Sequence, residues 1–297
     1  MLTGLLRLFA RLPLAWLHSA GLVLGWLTYR ASPSYAKRLR ENLVESGIRE
    51  NRADLEKLLK SSVLEAGKAT AELPAIWFRP QRESAAWVRK VNGWDIIAAA
   101  RRQGRGIVLL TPHIGCFEVL PQYLSLRFPI TVLYRPPRFA ALEPSMRAGR
   151  MRSDIHLATT DVNGVRQLLK ALKKGEAIGI LPDQVPSAGD GEWAHFFGRP
   201  AFTMTLWSRL AQRSQAPVVL IYALRLPHGT GFEVNIEAMP PREPDETAAR
   251  HLNRALEALI RRCPEQYLWA YNRYKIPAGA AAPPDPAATA AKPWQST

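Results

Sequence analysis

The chain has 297 residues, 47% of them hydrophobic, which allows one large or two modest domains with a substantial core and excludes disorder over most of its length. Its 40 basic residues against 25 acidic ones leave a net charge of +15, so an anionic partner is expected: nucleic acid, an acidic protein or an anionic membrane face. Nucleic acid is disfavoured, because the basic residues are interspersed with acids and neither zinc-finger spacing nor an aromatic-rich single-strand signature is present.

Leu12 to Tyr29 is uncharged and mostly apolar, flanked by Arg7, Arg11 and Arg30, with Trp16 and Trp26 along it. As a helix it would span about 27 Å, marginal against a hydrocarbon core of roughly 30 Å. Residues 1–30 therefore read as a membrane-associated anchor helix, whether it spans or lies on the surface, and the tryptophans suit the headgroup level. A cleavable signal peptide ranks lower, because the apolar region ends well before the cleavage-like triplet Ser34-Tyr35-Ala36. Lys37, Arg38 and Arg40 could each gain about 1 kcal/mol at an anionic leaflet, although a solvated helix face explains them equally well.

Asp54 to Ala75 reads as a helix that Pro74 ends, with Leu55, Leu58, Leu59 and Leu64 on a shared face, followed by an extended stretch at Trp77 and Phe78. Helices at 94–102, 118–126 and 165–174 then alternate with apolar strands at 106–110, 130–134 and 177–181. This alternation predicts an α/β fold with a mostly parallel central sheet covered by helices. Two further helices, 203–212 and 248–262, bracket strands at 218–226 and 232–238. From Pro277 the chain is almost uncharged alanine and proline, so 277–297 reads as a disordered tail.

The informative motif is Thr111-Pro-His-Ile-Gly-Cys-Phe-Glu118, directly after the strand at 106–110. A histidine there can take the proton of an attacking hydroxyl, and a carboxylate on its other ring nitrogen would fix the tautomer. His-four residues-carboxylate also occurs at His156/Asp161 and His228/Glu233. Asp161 reads as the cap of the following helix and His228 as a hairpin-loop residue, which leaves His113, at the carboxyl end of a buried strand, as the candidate base. On one continuous helix His113 and Glu118 would lie about 140° apart, so they must straddle a turn, which Gly115 permits. Glu118 would then sit in the first helical turn as an ionised orienting partner. Cys116 raises a rival mechanism, a thiol nucleophile activated at a helix start. Neither Cys116 nor Cys263 has metal or redox spacing, and both fit a reducing compartment.

The ordered series of Thr111–Glu118, Tyr134-Arg135-Pro136, Gly149-Arg-Met-Arg-Ser153, Leu169-Lys-Ala-Leu-Lys-Lys-Gly-Glu176 and Leu181-Pro-Asp-Gln184, after a basic-flanked apolar N-terminus, resembles the late acyltransferases of lipid A biosynthesis. The likeness spans roughly residues 5–275. It implies a glycerolipid-acyltransferase-like domain over 31–276 that moves a fatty acyl chain from acyl carrier protein to a hydroxyl on an acyl chain of a lipid A precursor. It further implies work at the cytoplasmic face of the bacterial inner membrane, with His113 as base and Glu118 as its partner. Arg150 and Asp183 match positions the family treats as functional. Arg150 could grip a phosphate or the thioester oxyanion, and Asp183 a sugar hydroxyl or that arginine, against surface pairing and capping as the plainer explanations. Tyr134 and Arg135, ending a strand, are expected to line the same cleft.

No cofactor or metal is called for, because a thioester is already activated; the acyl carrier protein thioester is a co-substrate. Two rivals remain at this point. A glycerolipid acyltransferase would use the related His-four residues-Asp pattern, from which Glu118 and the Gly149–Ser153 segment depart. A non-enzymatic, basic membrane-binding protein would keep its function after His113→Ala.

Overall fold

The computed structural model describes residues 2–136, 143–152 and 154–283. Its strands are β1 (Val88–Asn92), β2 (Ile107–Leu110), β3 (Ile130–Tyr134), β4 (Ile155–Thr159), β5 (Ala177–Ile180), β6 (Gly191–Phe196), β7 (Arg199–Met204), β8 (Val218–Arg225) and β9 (Phe232–Ala238). All but the β6–β7 hairpin join one sheet in the order β1-β9-β8-β2-β5-β3-β4. Its pairings are parallel apart from β8 with β9, so the expected mostly parallel sheet is present. The central strands β2 and β5 are buried at every position, as a parallel sheet covered on both faces requires.

The helices are α1 (Leu2–Phe9), α2 (Leu14–Ala31), α3 (Pro33–Glu45), α4 (Arg52–Phe78), α5 (Gln81–Ala85), α6 (Trp94–Arg102), α7 (Val119–Leu124), α8 (Glu143–Arg150), α9 (Val162–Lys173), α10 (Leu206–Ser214) and α11 (Ala248–Arg262). Side chains that alternate along the strands divide the interior into two cores. Ile107, Leu109, Ile130 and Val132 pack with Ile97 of α6 and Val119, Leu120 and Leu124 of α7. On the opposite face, Val108, Leu110, Ile178 and Ile180 meet Leu168 and Leu172 of α9, Leu210 of α10 and Leu256 of α11.

The N-terminal helices pack on the outside of this assembly. α2 lies against α4 at backbone contact, because Gly21, Gly25 and Gly67 put no Cβ between the two helices; one built at any of them would collide with the facing backbone. That buries Leu14, Leu17 and His18 and leaves Trp16, Val23, Trp26 and Leu27 exposed. Among the described residues no helix is long and apolar enough to cross a membrane.

Some boundaries differ from the sequence reading. Pro74 does not end α4, which continues to Phe78. The carbonyl that Pro74 cannot serve, on Thr70, sits at an exposed residue where water can satisfy it, while burial of Ala75, Ile76 and Trp77 favours continuing the helix. Trp77 is thus helical, not extended. The helix expected over 118–126 is confined to α7, and Thr203 belongs to β7 instead of the next helix. Asp161 does cap α9, accepting the Gly164 N–H at 2.8 Å, and His228 lies in the loop between β8 and β9. Ser153 of the Gly149–Ser153 motif and the tail past residue 283 lie outside the described residues.

Candidate active site

The site forms where β2 and β5 end side by side. Leu110 and Ile180 are register partners in parallel strands, and the Thr111 N–H donates to the Ile180 carbonyl at 2.9 Å. His113 and Asp183 each lie three residues beyond that pair, so equal extensions from adjacent strands bring them together. One face of the sheet carries α7 and the other α9, and a crevice opens at the strand ends between them.

Asp183 grips His113 twice. Its Oδ1 lies 2.8 Å from the ring Nδ1, and its Oδ2 accepts the backbone N–H of His113 at 2.9 Å. Burial alone would raise the pKa of Asp183, but the facing imidazole and these hydrogen bonds outweigh it and hold the carboxyl below the usual carboxylate range. An ionised carboxylate can only accept, so the neutral ring carries its proton on Nδ1 and presents a lone pair at Nε2. The side-chain amide of Gln184 stands 3.1 Å from Nε2 and donates to it, while Phe117 packs edge-on against the ring with centroids 4.7 Å apart.

Glu118 is not the partner of His113. Its Oε2 accepts from Arg150 Nε at 3.0 Å, its Oε1 is paired with Arg150 Nη2, and Trp77 Nε1 adds a longer bond of 3.4 Å. The expectation that Glu118 orients the imidazole is therefore corrected: Glu118 enters α7 facing α4 and α8, on the side where Arg150 offers it a two-pronged charge match. Burial opposes the charge on Arg150, yet the Glu118 carboxylate prevails and raises the arginine's pKa. Close approach of α8 to α4 requires Gly149, where any Cβ would run into Trp77.

The other candidates also find definite places. Tyr134 is buried beneath the Arg150 guanidinium, 5.6 Å from ring centroid to charge, and its hydroxyl donates to Glu143 at 3.1 Å. It supports Arg150 and does not line the cleft. Arg135 is exposed and does line it. Asp183 binds neither Arg150 nor open solvent, because it is buried against His113. The Cys116 thiol is buried, and burial together with the nearby Glu72 carboxylate pushes its pKa well up, the reverse of activation at a helix start.

Gly115 makes the turn with φ +58°, and an added Cβ would collide with the Ala223 carbonyl oxygen. The loop is clamped from behind. Arg225, fully buried, donates from Nη2 to the Gly115 carbonyl at 2.8 Å and holds Glu72 through Nε and Nη2 at 2.8 and 3.0 Å. Glu72 also takes His18 of α2 at 2.6 Å, so the N-terminal helix, α4, β8 and the motif loop share one buried polar cluster. Gln184, Trp77 and Arg225 were not singled out from the sequence as site residues. Only Gln184, inside the Leu181–Gln184 motif, carried a local signal.

A cavity of about 520 Å³ opens beside His113. Leu109, Leu120, Leu124, Ile130, Val132 and Met146 line it on one face of the sheet, and Val165, Leu169, Met204, Leu206 and Leu210 on the other. An imidazole beside a mostly apolar, two-sided cavity suits an amphiphilic substrate with long hydrocarbon chains.

Comparison with known proteins decides the class. The family model described as "Bacterial lipid A biosynthesis acyltransferase" matches residues 1–276. The chain belongs to this family. It is 29% identical to the lipid A biosynthesis lauroyltransferase of Escherichia coli K12 over 92% of this chain and 89% of that protein. It is 30% identical to the palmitoleoyltransferase of the same strain over 92% and 89%, and 22% identical to its myristoyltransferase over 60% and 56%. The His113–Asp183 and Arg150–Glu118 pairs therefore sit in an acyltransferase of lipid A biosynthesis.

Proposed function

We infer that the enzyme transfers a fatty acyl chain from an acyl carrier protein thioester to a hydroxyl on an acyl chain of a lipid A precursor. The observation that carries this is the His113–Asp183 pair over the apolar cavity, with the Nε2 lone pair facing the space a substrate would fill. The incoming hydroxyl takes the place of the Gln184 amide at Nε2. His113 removes its proton as the oxygen attacks the thioester carbonyl, and Asp183 steadies the imidazolium. Collapse of the tetrahedral intermediate breaks the C–S bond, Nε2–H returns the proton to the departing thiolate, and an ester and a free thiol result. Arg150, anchored by Glu118 through Nε and Nη2, keeps Nη1 for an oxygen that gains negative charge. The thioester is already activated, so this route calls on a base and on hydrogen-bond donors.

The exposed Trp16, Val23, Trp26 and Leu27 on α2, with Leu5 and Leu8 on α1, are the face we assign to the anionic membrane surface, at the cytoplasmic side of the inner membrane. The basic flanks Arg7, Arg11 and Arg30 favour that contact. The test is transfer of label from acyl carrier protein thioester to a tetra-acylated lipid A precursor by detergent-solubilised enzyme. Label should reach the lipid with wild type and fall to background with His113→Ala; equal transfer by both would defeat the reading.

A further inference from the structure

The cavity has two walls of different character at its rim. On the α7 side the charged lining residues are Glu118 and Arg150, which are paired with each other. On the α10 side the lining includes Arg209 and Arg213, four residues apart and so only about 40° apart around the helix. Like charges at this spacing disfavour a helix, and apolar pocket walls do not call for them. Asp190 meets Arg209 at 3.8 Å, with both side chains more than half exposed, a pairing too solvated to cancel the charge. Arg213 has no acidic partner among the described residues, and Arg135 brings a further guanidinium to the same cavity.

The same cavity is also lined by Gln184, Val185, Pro186 and Ser187, which continue directly from Asp183. Because His113, Arg209 and Arg213 line one cavity and both arginines are exposed, a substrate with its reacting carbon or hydroxyl at Nε2 can present another of its groups to the two arginines where the cavity opens. A guanidinium pair at such a mouth matches a tetrahedral oxyanion with several acceptor oxygens, since each guanidinium can offer two parallel N–H donors.

We propose that Arg209 and Arg213 form a phosphate-ester site at the α10 mouth of the cavity. In naming the molecules that carry the phosphate, this rests on the acyl-transfer reading above. It is either the phosphodiester of the donor's pantetheine arm or a phosphate on the sugar of the lipid acceptor. In both cases the site fixes one substrate by its anion while the reacting group lies at His113.

The test is calorimetric titration of the full-length enzyme in detergent, wild type and Arg209→Gln/Arg213→Gln, with matched ligand pairs. One pair is acyl-phosphopantetheine against acyl-pantetheine; the other is a phosphorylated diglucosamine lipid against its dephosphorylated form. Both substitutions are at exposed positions on α10, so the fold is retained. For one pair, wild type should prefer the phosphate-bearing member by about tenfold or more, and the double variant should lose that preference. Collapse within the pantetheine pair assigns the phosphate to the donor, and collapse within the lipid pair assigns it to the acceptor. A preference that survives in the variant, or is absent from wild type for both pairs, overturns the proposal. So does weakened binding of intact acyl carrier protein with no change in either pair, which would make the arginines a protein-docking surface. Acyl transfer is measured on the same wild-type samples. No transfer alongside an intact phosphate preference would refute the acyl-transfer reading and leave the anion site standing.

Discussion

Replacing Asp183 by Asn separates the assignment made from the structure from the one made from sequence spacing. The side chains have the same shape, and Asn Oδ1 can still accept the His113 backbone N–H that Asp183 accepts at 2.9 Å. The other end of the group then becomes an amide that donates to Nδ1, where the carboxylate had accepted from it at 2.8 Å. The ring proton moves to Nε2, and the lone pair needed to deprotonate a hydroxyl is lost. Where an aspartate orients a catalytic histidine in this way, the same change lowers kcat by about 10⁴-fold, roughly 5 kcal/mol of transition-state stabilisation. We expect a loss of 10³- to 10⁴-fold in kcat for Asp183→Asn, on the order of that precedent, with the protein still folded. Glu118→Gln should cost less, on the order of 10- to 100-fold, because it weakens the Arg150 anchor and leaves the base intact. The assay is single-turnover acyl transfer followed by mass spectrometry, with thermal unfolding to confirm folding. Asp183→Asn within tenfold of wild type, or Glu118→Gln as damaging as His113→Ala, would refute the reasoning.

Further predictions concern the loop that carries His113 and its supports. Gly115→Ala should abolish activity and lower the melting temperature, since a left-handed alanine costs about 1 to 2 kcal/mol before the collision with Ala223 is counted. Arg225→Met strands the buried Glu72 carboxylate and should cost about 3 to 5 kcal/mol in denaturant unfolding; Glu72→Gln/Arg225→Met should recover most of that, and no recovery would contradict the charge-pairing explanation. Cys116→Ala should leave transfer within a fewfold, whereas near-total loss with a trapped acyl-cysteine would overturn direct transfer. The depressed pKa of Asp183 gives stability that is fully present above the unfolded value, about 3.9, and is lost as pH falls through the lower folded value. Melting temperature should therefore drop more steeply below about pH 4 in wild type than in Asp183→Asn, and parallel curves would count against an ionised Asp183.

The apolar run Gly106–Leu110 announced β2, and the glycine and cap signals around 161–175 announced α9, so the sheet and the place of His113 were legible. Glu118 was misassigned because local spacing could show that it must turn away from a common helix face with His113, but not which way it turns. The partner of His113 is 70 residues distant in sequence and is delivered by the β2–β5 register, a non-local pairing that no single-strand pattern encodes. Edge strand β4 and the β6–β7 hairpin, with only partly buried residues along much of their length, gave too weak an alternation to be read. Pro74 misled for a related reason: the burial of Ala75, Ile76 and Trp77 that carries α4 past it is a tertiary effect.

The account turns on which nitrogen of His113 is free to take a proton. ¹⁵N NMR of the ring, recorded at a pH where it is neutral, reads this directly. The account predicts a protonated Nδ1 and a bare Nε2 in wild type, reversed in Asp183→Asn. A proton resting on Nε2 in wild type, unaffected by Asp183→Asn, would contradict it.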